Sequence, residues 1–312
     1  MVNENTASRI GLGLAAIGRP AYITSGRHRD LGDPAERTID GMRRRAHELM
    51  EAAWESGIRY FDAARSYGDA EGFLGSWVAR HAGRREKLTI GSKWGYEYVG
   101  NWQMDAPQHE RKEHSLAMFD RQWPHSVAAL GTHPDLYLIH SVTPESPALS
   151  DAPLLNALRR LADDGVRVGI STSGPEQGAV IERALAVADS PFSVVQATWN
   201  VLEPSAGPAL AHADASGWLV VVKEALANGR LVEPGSATAR LAEADDQRAD
   251  AFAIGAVLAQ PWADIVLSGA VTVGQLHSNL AARAPGASAD DLAALALDPA
   301  QYWSERSARD WA

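Results

Sequence analysis

Short apolar runs alternate with polar loops and helix-period segments along the whole chain. Each run is four to six residues long, and all but the first end in a polar residue. The runs are Ile10–Leu14, Ile58–Asp62, Leu88–Lys93, Asp135–His140, Val166–Ser171, Ser193–Thr198, Trp218–Lys223 and Ile265–Ser268. Between them, apolar residues recur at three- and four-residue spacing, as in Met42, Ala46, Leu49, Met50 and Ala53. Such spacing predicts a helix with one buried face. The alternation predicts βαβ units and a parallel sheet. Eight strand–helix pairs match the (β/α)₈ TIM barrel rather than a doubly wound sheet of five or six strands. No Pro/Gly-rich linker divides the chain, so the expectation is one barrel domain over residues 1–312. Two stretches exceed plain connectors, residues 94–113 and 224–242, and both follow strands. In a barrel they would be long loops on the C-terminal, catalytic face. A helix is expected over residues 243–260.

Composition narrows the function. The 312 residues carry a net charge of −10, which argues against broad nucleic-acid or anionic-membrane binding. There is no cysteine, which removes disulfides, thiolate nucleophiles and Cys-type metal sites and fits a cytoplasmic setting. The polar start, MVNENTASRI, lacks the apolar core of a secretory signal, and no run reaches the length of a membrane span.

Gly11–Ala16 reads G-L-G-L-A-A and mimics a dinucleotide fingerprint. That fingerprint requires a helix to open behind it, and Ile17-Gly18-Arg19-Pro20 is loop chemistry instead. The more specific signal is distributed. Asp62, Lys93 and His140 end three successive strands, and Tyr67 follows Asp62 by five residues in FDAARSYG. A lone strand-end Asp is usually a turn former, and a lone Tyr is usually packing. A Lys within an apolar run is costly without a partner, and Asp62 would offset that cost. Together the four suggest proton transfer to a carbonyl oxygen: Tyr67 as acid/base, Lys93 lowering its pKa, Asp62 holding Lys93, and His140 beside the same oxygen. No side chain supplies hydride, so a nicotinamide cofactor is implied.

This pattern resembles the aldo-keto reductase superfamily over nearly the whole chain. The resemblance implies a (β/α)₈ barrel that interconverts an aldehyde or ketone and its alcohol with NADPH, less often NADH. It implies Asp62, Tyr67, Lys93 and His140 as a catalytic tetrad. It also implies cofactor contacts from Gly13, Leu14 and Ala15 after the first strand, Ser171 and Thr172 after the fifth, and Gln196 on the sixth. Lys223, Ala225 and Leu226 follow the seventh, and Ser268, Gly269, Val271, Gln275 and Asn279 follow the eighth. Three positions depart from the family pattern. Thr172 replaces an Asn, Lys223 stands where an aromatic ring stacks on the nicotinamide, and Gln275 replaces a phosphate-binding Arg. Arg230, Arg240 or Arg248 are the candidates to supply that missing charge.

The expected partner is a small carbonyl or alcohol. Trp94, Tyr96, Tyr98 and Trp102, with Trp199, Trp303 and Trp311, are candidates for an apolar cavity mouth, with packing under a long loop as the alternative. His109 and His114 lack metal-site spacing, so no metal is expected. Two alternatives stand beside the reductase: a nicotinamide-binding regulatory subunit with little turnover, and a cofactor-free barrel hydrolase or isomerase.

Overall fold

Tyr60 sits at the centre of the fold, wedged where two glycines leave room for it. A Cβ on Gly11 would lie 2.7 Å from the Tyr60 ring, and one on Gly91 would lie 2.8 Å from its hydroxyl. These residues belong to a closed barrel of eight parallel strands in the computed structural model, which describes residues 4–81 and 83–311. Residues 1–3, 82 and 312 of the expected domain, including the first residues of the polar start, lie outside the described residues.

The strands are β1 (Ile10–Gly13), β2 (Tyr60–Asp62), β3 (Thr89–Trp94), β4 (Tyr96–Tyr98), β5 (Glu110–Lys112), β6 (Leu136–Val142), β7 (Arg167–Thr172), β8 (Phe192–Thr198), β9 (Leu219–Lys223) and β10 (Ile265–Ser268). All but β4 and β5 form the barrel, in the order β1-β10-β9-β8-β7-β6-β3-β2. Each expected strand is therefore present, with boundaries shifted by at most two residues. The first long segment is not structureless: β4 and β5 pair antiparallel within it. The expected helix over 243–260 is two helices, Ala237–Ala244 and Ala249–Leu258. Asp246 breaks it with a φ of 48°, a left-handed value that no continuing helix allows. The second long segment also holds 3₁₀-like turns over Ala227–Val232, kinked at Asn228 and Gly229, where φ is positive. A C-terminal helix, Pro299–Ser307, has no counterpart in the expected repeat.

The two-residue period of a strand explains the functional face. A buried layer inside the barrel holds Tyr60, Leu136, Leu138, Val194, Val221 and Leu267. Two residues further along the same strands come Asp62, His140, Gln196, Lys223 and Gly269. By the same count Lys93 follows Gly91, the glycine opposite Tyr60. The barrel thus closes at its base with apolar side chains and opens at the C-terminal end with polar ones. The outer core, between strands and helices, is a separate and larger apolar cluster. The apolar segment 251–259 lies largely within the buried helix Ala249–Leu258, where Ala253 and Ala256 pack with Leu231, Tyr302 and Trp303. No helix among the described residues is long and apolar enough to cross a membrane.

Candidate active site

Asp62 and Lys93 meet at the mouth of the barrel. The Lys93 ammonium donates to Asp62 Oδ2 at 2.5 Å and to the Ala63 carbonyl at 2.9 Å. Both side chains are almost fully buried. Such a pair tolerates burial only because every charge has a partner. Gln196 Nε2 occupies the second carboxylate oxygen, Asp62 Oδ1, at 2.9 Å. Its own Oε1 is buried and has no partner.

Tyr67 leans over this pair. The Lys93 nitrogen lies 4.7 Å from its ring centre and the Arg19 guanidinium carbon 5.2 Å. Its hydroxyl is 3.4 Å from His140 Nε2, and Ser66 Oγ is 3.4 Å from His140 Nδ1. Thus the three strand-end residues and Tyr67, singled out by sequence, come together in one chamber. The loop carrying Tyr67 is held by Glu71, which accepts from Ser92 Oγ at 2.5 Å and pairs with Arg65. His114 fixes the backbone under His140: its Nε2 donates to the His140 carbonyl at 2.8 Å, and its Nδ1 meets Ser146 Oγ. Burial lowers the His114 pKa to about 4, so this is a neutral structural imidazole. Among the described residues no group of three or more His, Cys, Asp or Glu could hold a metal ion.

The expected lowering of the Tyr67 pKa is corrected by the structure. Burial and the Asp62 charge raise it well above its usual value, against the opposing pull of Arg19. Lys93 is held by Asp62, and burial penalises the phenolate. The His140 pKa falls well below its usual value, through burial first and then through Lys93, Lys223 and Arg19. Both groups are therefore neutral near neutral pH.

The chamber opens into a cavity of about 670 Å³. Asp62, Tyr67, His140 and Gln196 line one end. Gly13, Ala15, Lys223, Ala225, Leu226, Ser268, Gly269, Val271, Gln275 and Asn279 also line it. Leu14, Ser171 and Thr172 do not. Leu14 is buried in the outer core, Ser171 Oγ accepts the Ser141 N–H at 2.8 Å, and Thr172 Oγ1 meets Gln177. Of the three arginines considered for a phosphate, only Arg248 borders the cavity. Arg230 pairs with Glu305, and Arg240 bonds the Gly235 carbonyl. Gln275 accepts from the Val271 N–H and donates to Asp30 at 2.8 Å.

The apolar mouth expected from the aromatics is also corrected. Only Tyr96 and Trp311 of that set line the cavity. Trp94 packs on Phe119 and His114, Trp102 donates to the Arg37 carbonyl, and Trp199 packs on Trp262. Tyr98 accepts the Trp102 N–H, and Trp303 packs on Tyr302. Seven Arg or Lys and five Asp or Glu line the cavity instead, in a protein of net charge −10.

Several lining residues were invisible to motif reasoning. Arg19 is buried, donates to the Ser66 carbonyl and to Glu110, and stacks against Tyr22, Tyr67 and Trp311. Glu224 and Arg306 form a partly buried ion pair. Only the position of Glu224, one residue past a strand-end Lys, was a signal in the sequence. Arg306 and Trp311 arrive from the C-terminal region, nearly 250 residues from Tyr67 in sequence.

A closed parallel barrel with its ionisable side chains gathered at the C-terminal strand ends is the architecture of a barrel enzyme. Comparison with known proteins gives the family: residues 39–296 match the aldo/keto reductase family, and the chain belongs to it. An aldo-keto reductase from Gibberella moniliformis is 28% identical over 160 residues, 51% of this chain and 44% of that protein. An oxidoreductase from Bacillus subtilis is 30% identical over 116 residues, 35% of each chain. The matches therefore span under half the length of these curated relatives. Among solved structures, a glycerol dehydrogenase from Gluconobacter oxydans superposes with a TM-score of 0.68 at 22% identity, over 92% of this chain and 90% of that one. The holo form of an aldo-keto reductase from Bacillus halodurans gives 0.63 at 22% identity, over 96% and 91%. At such identities these two share the fold.

Proposed function

We propose that the protein is a nicotinamide-dependent oxidoreductase that interconverts an aldehyde or ketone and its alcohol, with Tyr67 as general acid/base and NADPH as the preferred cofactor. The observation that carries this reading is the Tyr67–His140 pair set above the buried Asp62–Lys93 pair in one chamber. The cavity residues fit a dinucleotide. Gln196 Oε1 and Asn228 Oδ1 are buried acceptors without partners, as a carboxamide or a ribose hydroxyl would require. The excess of basic side chains suits its phosphates. The cofactor, when bound, supplies hydride to the carbonyl carbon.

The protein's own residues handle the oxygen. Tyr67 presents a neutral O–H to the carbonyl oxygen, and His140 stands beside it to orient that oxygen. A phenol whose pKa is raised still protonates a developing alkoxide, because an alkoxide is the stronger base. After transfer, the phenolate faces Lys93 and Arg19 across its ring. The cost falls on the opposite direction. Alcohol oxidation needs Tyr67 deprotonated, and burial makes that form rare near neutral pH. Its kcat/KM should therefore rise about tenfold per pH unit between about pH 7 and 9, while reduction stays flatter. A pH profile of both directions checks this, and a flat oxidation limb would remove Tyr67 as the base.

The preference for NADPH rests on Arg248, which borders the same cavity as Gln275 and bonds Ser278 and Asp250. Arg248→Ala should weaken NADPH about tenfold more than NADH, the scale of one charge-assisted hydrogen bond. Equal losses for the two cofactors would assign the phosphate elsewhere. The test of the reading as a whole is a panel of aldehydes and ketones with NADPH, following oxidation of the reduced cofactor. Consumption that depends on both carbonyl and Tyr67 supports it. Consumption that persists in Tyr67→Phe counts against it.

A further inference from the structure

We propose that Lys223 is a specificity residue that selects carbonyl substrates carrying a carboxylate. This rests on the reductase reading above and names the substrate class of the same chamber.

The argument is a census of charge. Three ion pairs meet around the chamber. Asp62 neutralises Lys93, Glu110 neutralises Arg19, and Glu224 neutralises Arg306. The last pair is bidentate: Arg306 Nε reaches both Glu224 oxygens at 3.0 Å, and Nη2 reaches Oε1 at 2.5 Å. Thr198 Oγ1 also donates to Glu224 Oε2 at 3.1 Å. Burial would raise the Glu224 pKa, but Arg306 and Lys223 hold it at about 2, so it stays ionised.

Lys223 is the fourth cation of this group, and no carboxylate among the described residues is hydrogen-bonded to it. Its ammonium carries three donors. One reaches Thr198 Oγ1 at 2.8 Å. The single carboxylate oxygen within 4 Å among the described residues is Glu224 Oε1 at 3.9 Å, already taken by Arg306. The strand period turns Lys223 into the barrel mouth, two residues above the buried Val221. It lines the same cavity as Tyr67 and His140 and acts electrostatically on His140 and on the Asp62–Lys93 pair. Burial lowers its pKa only to about 8, so it remains mostly a cation at neutral pH.

A half-satisfied ammonium facing a cavity is costly to keep unless an anion completes it. A carboxylate does so with charge-assisted hydrogen bonds. At this position Lys brings no ring to stack on a nicotinamide, which sets the chain apart from the family pattern noted in its sequence. A cofactor diphosphate carries the same kind of charge, so the test separates the two sources.

The experiment compares matched carbonyls: 4-oxobutanoate with butanal, and 4-carboxybenzaldehyde with benzaldehyde. Each pair differs in the carboxylate. The protein should show a kcat/KM at least tenfold higher for the carboxylated member, carried mainly by KM. In Lys223→Met that ratio should collapse toward one, and Lys223→Arg should restore part of it. Cofactor dissociation constants, read by tryptophan fluorescence without substrate, should not follow the same factor. A ratio near one in the unaltered protein overturns the inference while leaving the reductase reading intact. A collapse matched by an equal loss of NADPH affinity also overturns it, and assigns Lys223 to the cofactor's phosphates. No turnover of any carbonyl, with no nicotinamide binding, overturns both readings together.

Discussion

Tyr67→Phe should cut carbonyl reduction by about 10²–10⁴-fold, the usual contribution of a positioned general acid. Nicotinamide affinity should be retained. The substitution removes one hydroxyl whose contact is His140 Nε2 at 3.4 Å. It leaves the ring in place against Lys93, Arg19 and His140, so packing is conserved. Loss without a change in fold is therefore expected. Steady-state kinetics beside a fluorescence titration of the same variant make the check. Turnover within a few-fold of the unaltered protein would mean that another group supplies the proton, and His140 would be the next to examine.

Lys93→Met should damage both stability and turnover. Lys93 is buried and bonds Asp62 and the Ala63 carbonyl. Its removal leaves the Asp62 carboxylate buried, with Gln196 Nε2 still donating to it at 2.9 Å. Breaking one side of a buried pair costs about 3–5 kcal/mol, because the other charge is orphaned. At roughly 2–4 °C per kcal/mol, the melting temperature should fall on the order of 10 °C. The double variant Asp62→Asn/Lys93→Met should recover much of that stability and none of the turnover. Thermal melts of the three variants decide it: additive losses in the double variant would show that the two side chains do not act as a pair.

Much of this site was legible in the sequence because a strand has a fixed two-residue period. Once eight strands are placed, Asp62, Lys93, His140 and Gln196 fall on the inward face at the C-terminal end by counting. The apolar layer beneath them, from Tyr60 to Leu267, follows from the same count. The glycines in Gly11–Ala16 resolve the same way: Gly11 makes room for Tyr60 within the barrel, and no helix opens behind it.

What was not legible came from tertiary approach rather than local pattern. Arg19 reads as part of a polar loop, yet it is buried under Trp311, 292 positions later in the sequence. Asp30 is an exposed acid, and it meets Gln275 across 245 positions. The aromatic residues after β3 suggested an apolar mouth, because spacing cannot tell a side chain that packs outward, like Trp94, from one that faces the cavity, like Tyr96. The break at Asp246 escaped notice because helical periodicity runs through it, while its left-handed backbone leaves no mark on the hydrophobic pattern. The Tyr67 pKa departs from the expectation for a related reason. Charge partners can be guessed from sequence, but burial, the larger cause, cannot.

The central claim is that this cavity holds a nicotinamide cofactor next to Tyr67. Parallel titration with NADPH and NADH, followed by the fluorescence of the 10 tryptophans, tests it most directly. Trp311 lines the cavity itself. Saturable quenching at micromolar NADPH, with weaker quenching by NADH, is the predicted result. No quenching and no binding of either cofactor would contradict the account and favour a barrel enzyme that works without one.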